Sequence, residues 1–236
     1  DINQQRVVFS GDIGCKNTPL LPDPTPLEHA DLLLLESTYG DRFHESRETR
    51  QAQLKNVIRH CIADRGAVLI PAFSMGRTQE LLYEFEAIWH ELTQLGQTTF
   101  PEIIVDSPLA AELTDVYSDL HELWDQQAKH RLAQGRHPLS FSHCHVITSH
   151  DQHIRLVNRL RQTAEPVIII AASGMCAGGR ISNYLQALLP DPRTDVLFVG
   201  YQAAGTPGYI IQKYGPQGGY VIVDGEKINI NANIHT

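Results

Sequence analysis

Apolar residues fall along this chain in short unbroken runs, separated by longer stretches where they recur every three or four positions. The runs are RVVF before Ser10, LLLL before Glu36, AVLIPAF at 67–73, EIIV at 102–105, VIIIAA at 167–172, DVLFV at 195–199 and YVIV at 220–223. Apolar runs of that length bounded by turn residues predict strands, the LLLL run among them as a fully apolar one. The 3.6-residue recurrence between them predicts helices. Residues 46–64 place Leu54, Val57, Ile58, Cys61 and Ile62 on one face, with Ser46 as N-cap and Gly66 just past the end. Further helices are expected over 74–92, over one long stretch at roughly 110–134, and over 151–162 with Asp151 at its start. A short strand is expected at 143–149. Strand–helix alternation implies a parallel sheet in an α/β layered fold.

The two ends break this rhythm. Residues 1–40 hold two strands joined by the proline-rich loop NTPLLPDPTPLEHA, with no helix between them. Residues 219–236 read as a hairpin turning at Asp224-Gly225, followed by one more strand. The expectation is a complete α/β domain at 45–215, inserted between pieces of an incomplete second domain at 1–44 and 216–236.

Composition narrows the class. The chain has 236 residues, 42% hydrophobic and 19% charged, and no apolar run approaching the ~20 residues of a membrane span. No membrane partner is expected, and the N-terminal residues have neither the basic start nor the apolar core of a signal peptide. A net charge of −8 argues against wrapping nucleic acid over a broad surface, while leaving room for a narrow cleft of locally positive field. Cys15, Cys61, Cys144 and Cys176 form no CxxC pair and read as buried free thiols in a reducing, cytoplasmic setting.

Ligands of open parallel sheets bind outside the carboxyl ends of the strands. There the sequence puts Ser74, Gly76 and Arg77; Asp106 and Ser107; Ser173, Gly174, Gly179 and Arg180; and Gly200, Tyr201, Gln202 and Gly205. Small residues, hydroxyls, an amide and two arginines suit the backbone of a polyanion. Arg77 and Arg180 stand near helix starts, where the dipole disfavours a cation. A bound phosphate would explain them, and so would an ion pair to Glu80 or Asp106. Asp12 and Glu36 each close an apolar run, a costly place for a charge unless a metal, a cation or several hydrogen bonds receive it. A carboxylate capping a nearby loop is the plainer alternative for both.

Two other patterns invite chemistry. His143, His145, His150 and His153 cluster, but the binuclear pattern HxHxDH fails because Ile147 and Thr148 occupy its Asp and His places, so surface histidines are expected. PAFSMGRTQ looks like a nucleophile elbow with Ser74 as nucleophile, and Asp195 and His235 follow in the order a serine hydrolase needs.

FSGDIG, LLLLESTYGDR, PAFSMGRTQELL, DSPLA, ASGMCAGGR and VGYQAAGTPG occur in the order and spacing of the β-CASP family. These are RNA-processing nucleases with a metallo-β-lactamase fold. The resemblance spans essentially the whole chain. It implies a Rossmann-like, parallel-sheet β-CASP domain flanked by pieces of a metallo-β-lactamase αββα domain, and two-metal hydrolysis of single-stranded RNA with two zinc ions as cofactors. Asp12 resembles the aspartate that bridges the zinc ions. Glu36 resembles the acidic residue supporting a histidine that protonates the leaving oxygen. Ser74, Gly76, Arg77, Ser173, Gly174, Gly179, Arg180 and Gln202 are similar to the family's wall of the RNA cleft. The family's HxHxDH motif and later metal-binding histidines have no counterpart, which leaves Asp12 alone among the metal ligands. A fragment that grips RNA without cutting it is therefore expected, with a non-catalytic RNA-processing scaffold and a serine hydrolase using Ser74 as alternatives. The strand edges of the partial outer domain invite pairing with another chain, so a homodimer belongs among the partner states.

Overall fold

The computed structural model describes residues 4–41, 46–163 and 165–236. Two strands, β1 (Val7–Phe9) and β2 (Leu32–Leu34), pair in parallel as a small ribbon. Helix α1 (Arg47–Asp64) then leads into the main sheet. Its further strands and helices are β3 (Ala67–Pro71), α2 (Arg77–Gln94), β4 (Glu102–Asp106), α3 (Pro108–Asp119), α4 (Gln126–Ala133), β5 (Cys144–Val146), α5 (His150–Gln162), β6 (Val167–Ala171), α6 (Arg180–Leu188), β7 (Asp195–Leu197) and α7 (Pro207–Tyr214). An antiparallel hairpin, β8 (Tyr220–Val223) with β9 (Glu226–Asn229), and a last strand β10 (Asn233–His235) complete the chain.

The main sheet is parallel throughout, with strand order β10-β7-β3-β6-β4-β5. Alternate residues of its strands feed two cores. Leu69, Ile104, Ile169 and Val196 meet α5, α6, Ile211 and the hairpin on one face. Val68, Ile70, Ile103, Val105, Ile168 and Ile170 meet α1, α2, Trp124 and Ala128 on the other. Because helices cover both faces, the central strands read as continuous apolar runs rather than alternating ones. Each fully buried isoleucine in β6 contributes about 1.5–3 kcal/mol of burial.

Helix α1 starts as its sequence requires, with the Ser46 hydroxyl accepting from the Thr49 N–H. At its end the left-handed residue is Arg65, φ 58°, while Gly66 serves a close approach: a Cβ there would lie 1.7 Å from the Arg193 carbonyl oxygen. The hairpin turns at Asp224 and Gly225, both at positive φ.

Three expectations need correction. The stretch 110–134 is two helices, because the Asp125 N–H is drawn to the Leu20 carbonyl (2.7 Å) and the Asp125 carboxylate caps α4. Helix α5 is capped by Ser149, whose hydroxyl accepts from Gln152, and Asp151 lies inside its first turn. Of the four free cysteines, Cys61 and Cys176 are buried, Cys144 is half-buried and Cys15 is exposed. Apart from these, the fully apolar run Leu32–Leu35 is exposed, while Val7 and Val8 of β1 are half-buried. The final strand extends the six-stranded sheet beside β7, and the expected boundary at 44–45 lies outside the described residues.

Candidate nucleic-acid interface

The loops leaving β3, β4, β6 and β7 converge at the carboxyl edge of the sheet. Gly174 is their meeting point: a Cβ there would touch the Phe73 ring at 2.9 Å, and its carbonyl accepts from Gln202 Nε2 at 2.9 Å. Ser74 and Ser107 share a hydroxyl hydrogen bond of 3.1 Å, which joins the β3 and β4 loops. The Ser173 hydroxyl accepts from the Ala177 N–H (3.1 Å) and so closes the β6 turn on itself. In that turn Gly179 is at φ 79°, and a side chain there would also strike the Ala172 carbonyl at 2.6 Å. The structure thus brings Ser74, Gly76, Arg77, Ser173, Gly174 and Gly179 to one edge.

Helix capping at this edge departs from the rest of the molecule. Helices α1, α3, α4, α5 and α7 are closed by the side chains of Ser46, Ser107, Asp125, Ser149 and Thr206. Helices α2 and α6, which follow the adjacent strands β3 and β6, start from Gly76 and Gly179 with no side-chain cap. At these starts the N–H groups of Arg77, Ile181 and Ser182 are bonded to the carbonyls of Met75, Ala172 and Gly179, and the positive ends of both helix dipoles lie at an edge where an arginine is the first helical residue in each case.

The two arginines differ in their commitments. Arg77 is 39% exposed and pairs with Glu80 at 2.5 Å. Burial pushes the Glu80 carboxyl up, and Arg77 opposes that shift. Arg180 is turned inward: it donates to Asp106 and to the carbonyls of Ile147 (2.8 Å) and Thr148 (2.7 Å). Asp106 is fully buried and also accepts from Tyr184 Oη (2.5 Å) and His153 Nδ1 (2.6 Å). Burial, then the bond to Asp106, holds the Tyr184 hydroxyl well above its usual range. Asn183 donates to His153 Nε2 at 2.8 Å, which assigns the ring proton to Nδ1. His153 is thus buried, not on the surface as its run suggested; His145 and His150 are exposed and His143 stacks on Trp89. A signal was available: His153 lies with Leu156, Val157 and Leu160 at i, i+3, i+4 and i+7, the core face of α5. Gln202 is also turned inward, its amide donating to Gly174 and Gly200, so it ties loops together.

Asp12 and Glu36 follow β1 and β2 in the small ribbon. Glu36 accepts from the Ile13 N–H (2.7 Å) and the Thr38 hydroxyl (2.6 Å), bonds that hold its carboxyl below the usual range, the Thr38 bond contributing most. It therefore braces the loop that carries Asp12. Tyr39 meets Tyr201 edge to face, ring centroids 6.0 Å apart, which sets the Glu36 loop beside the β7 loop. Among the described residues, the Ser74 hydroxyl is bonded to Ser107 and to no histidine. Asp195, although bonded to His235 at 2.7 Å, is aligned with Val68 at the amino end of β3, whereas Ser74 lies beyond its carboxyl end. The serine-hydrolase triad is not assembled.

A family model described as the Beta-Casp domain matches residues 78–211. The chain belongs to the β-CASP family. Its relatives include Ribonuclease TTHA0252 of Thermus thermophilus, 33% identical over 98% of this chain and 50% of that protein. A transcription termination factor FttA of Pyrococcus horikoshii is 30% identical over 98% of this chain and 35% of its own length. An RNase J-like protein of Methanocaldococcus jannaschii is 32% identical over 88% of this chain and 46% of that protein. The chain thus spans between a third and a half of these relatives. The metal pair implied by the β-CASP resemblance does not fit the donors present: Asp12 is exposed, and the group of metal-capable side chains among the described residues, His60, Asp64 and Asp195, includes neither Asp12 nor Glu36.

Proposed function

We propose that this chain is the RNA-gripping part of a metal-dependent ribonuclease, with the carboxyl edge of the main sheet holding phosphates of single-stranded RNA. The observation that carries this reading is the pair of glycine-started helices α2 and α6 on adjacent strands, with exposed Arg77 beside them. Backbone N–H groups and an uncommitted fraction of the Arg77 charge can bind a phosphate without reading the base. Arg180 and Gln202 act one step back, fixing the loops whose backbone faces the RNA. Ser74, Ser173, Gly174 and Gly179 supply small walls that let a phosphate approach.

The segment 1–44 and the return after 215 are read as parts of the metallo-β-lactamase layer, with Asp12 directed to two zinc ions and Glu36 bracing its loop. One carboxylate cannot hold two zinc ions, so the chain by itself binds RNA and does not hydrolyse it. Incubation of the untagged chain with end-labelled single-stranded RNA tests this. Saturable binding with the RNA left intact is expected. Absence of binding overturns the grip, and turnover overturns the missing-ligand half of the proposal.

A further inference from the structure

The amino end of the main sheet, opposite the RNA edge, carries a second constellation. His60 and Asp64 lie at i and i+4 on α1, and Asp195 opens β7; one ligand atom from each lies within 4.8 Å of the others. Residues four apart project from the same flank of a helix, so α1 offers an imidazole and a carboxylate together.

Each carboxylate has one oxygen held by a donor and the other turned to His60. Asp64 Oδ1 accepts from the Gly66 N–H at 3.1 Å, and Asp64 Oδ2 is 3.6 Å from His60 Nδ1. Asp195 Oδ1 is bonded to His235 Nε2 at 2.7 Å, and Asp195 Oδ2 is 2.8 Å from His60 Nδ1. A tetrahedral zinc ion with bonds of ~2.0–2.2 Å spaces its donor atoms by roughly 3.3–3.6 Å. The observed 2.8 and 3.6 Å bracket that spacing. Asp195 is fully buried and pairs with the two imidazoles of His60 and His235; the nearby Arg193 guanidinium is engaged with Asp191 at 2.5 Å. A buried carboxylate so placed favours a cation at its side.

We propose that His60 Nδ1, Asp64 Oδ2 and Asp195 Oδ2 bind one zinc ion, with His235 and the Gly66 amide positioning the two carboxylates and water in the fourth place. The N,O,O donor set suits zinc. Zinc takes the Nδ1 lone pair of His60 as the neutral Nε2–H ring: the imidazolium releases its Nδ1 proton to solvent, and the neutral Nδ1–H ring loses that proton while taking one from water at Nε2, with no net release. The ion would staple α1 to β7, next to the edge strand β10, and has no part at the RNA edge.

Calorimetric titration of zinc into the untagged, chelator-stripped chain tests the site, with melting curves read in parallel. One equivalent is expected, accompanied by a rise in Tm. His60→Gln and Asp64→Asn, both at partly exposed side chains and checked for folding by circular dichroism, should each weaken binding at least about tenfold. Asp115→Asn and His145→Gln, both at exposed positions away from α1 and β7, should leave binding unchanged. No saturable binding, loss in only one of the two ligand variants, or loss on Asp115→Asn would overturn the proposal.

Discussion

Asp106 shows how a single buried residue can organise one edge of a sheet. Its carboxylate gathers Arg180, Tyr184 and His153, and thereby pins α5 and α6 to the end of β4. Removing one partner from such a buried pair strands a charge, which costs about 3–5 kcal/mol. Arg180→Ala should therefore lower stability by that order in urea denaturation; full stability with weakened RNA binding would instead make Arg180 a direct phosphate ligand. Thiol chemistry gives a second residue-level test. Burial pushes the thiols of Cys61 and Cys176 up to about 12 and that of Cys144 to about 11, whereas Cys15 is exposed. Brief alkylation of the native chain, mapped by mass spectrometry, should label Cys15 well ahead of the other three. The sequence did reveal Arg77 and Arg180 as oddly placed cations, and it offered both explanations for each. It could not choose, because the choice depends on whether Asp106, seventy-four positions earlier, meets the guanidinium.

Elements were legible wherever local chemistry decides them. Ser46 capped α1 as expected, and Asp224-Gly225 turned the hairpin. Where tertiary contacts decide, the pattern misled: the α3–α4 break depends on Leu20, a residue of the proline-rich loop that is 1% exposed in the core beside Trp124. Two substitutions probe this scale. Gly66→Ala drives a methyl into the Arg193 carbonyl, and the backbone shift should cost about 1–3 kcal/mol, read as a lowered urea midpoint. Ser149→Ala removes the α5 cap and should cost about 1 kcal/mol by the same measurement. Equal stability of either variant with the parent would show that the contact carries no weight.

For the molecule as a whole, the parallel sheet and the set of loops at its carboxyl edge were readable from strand–helix alternation, because both depend on order along the chain. The exposure of Leu32–Leu35 was not readable, since an apolar run does not say what lies over it. Nor did the sequence show that the last strand would extend the main sheet beside β7. Central to the proposed grip is an electrostatic contact between Arg77 and RNA. It is tested most directly by equilibrium binding of a labelled single-stranded oligoribonucleotide to the chain and to Arg77→Ala across a salt series. Loss of one phosphate contact should weaken binding and flatten the log–log salt dependence by about 0.7. Identical affinity and slope for the two proteins would contradict the phosphate grip.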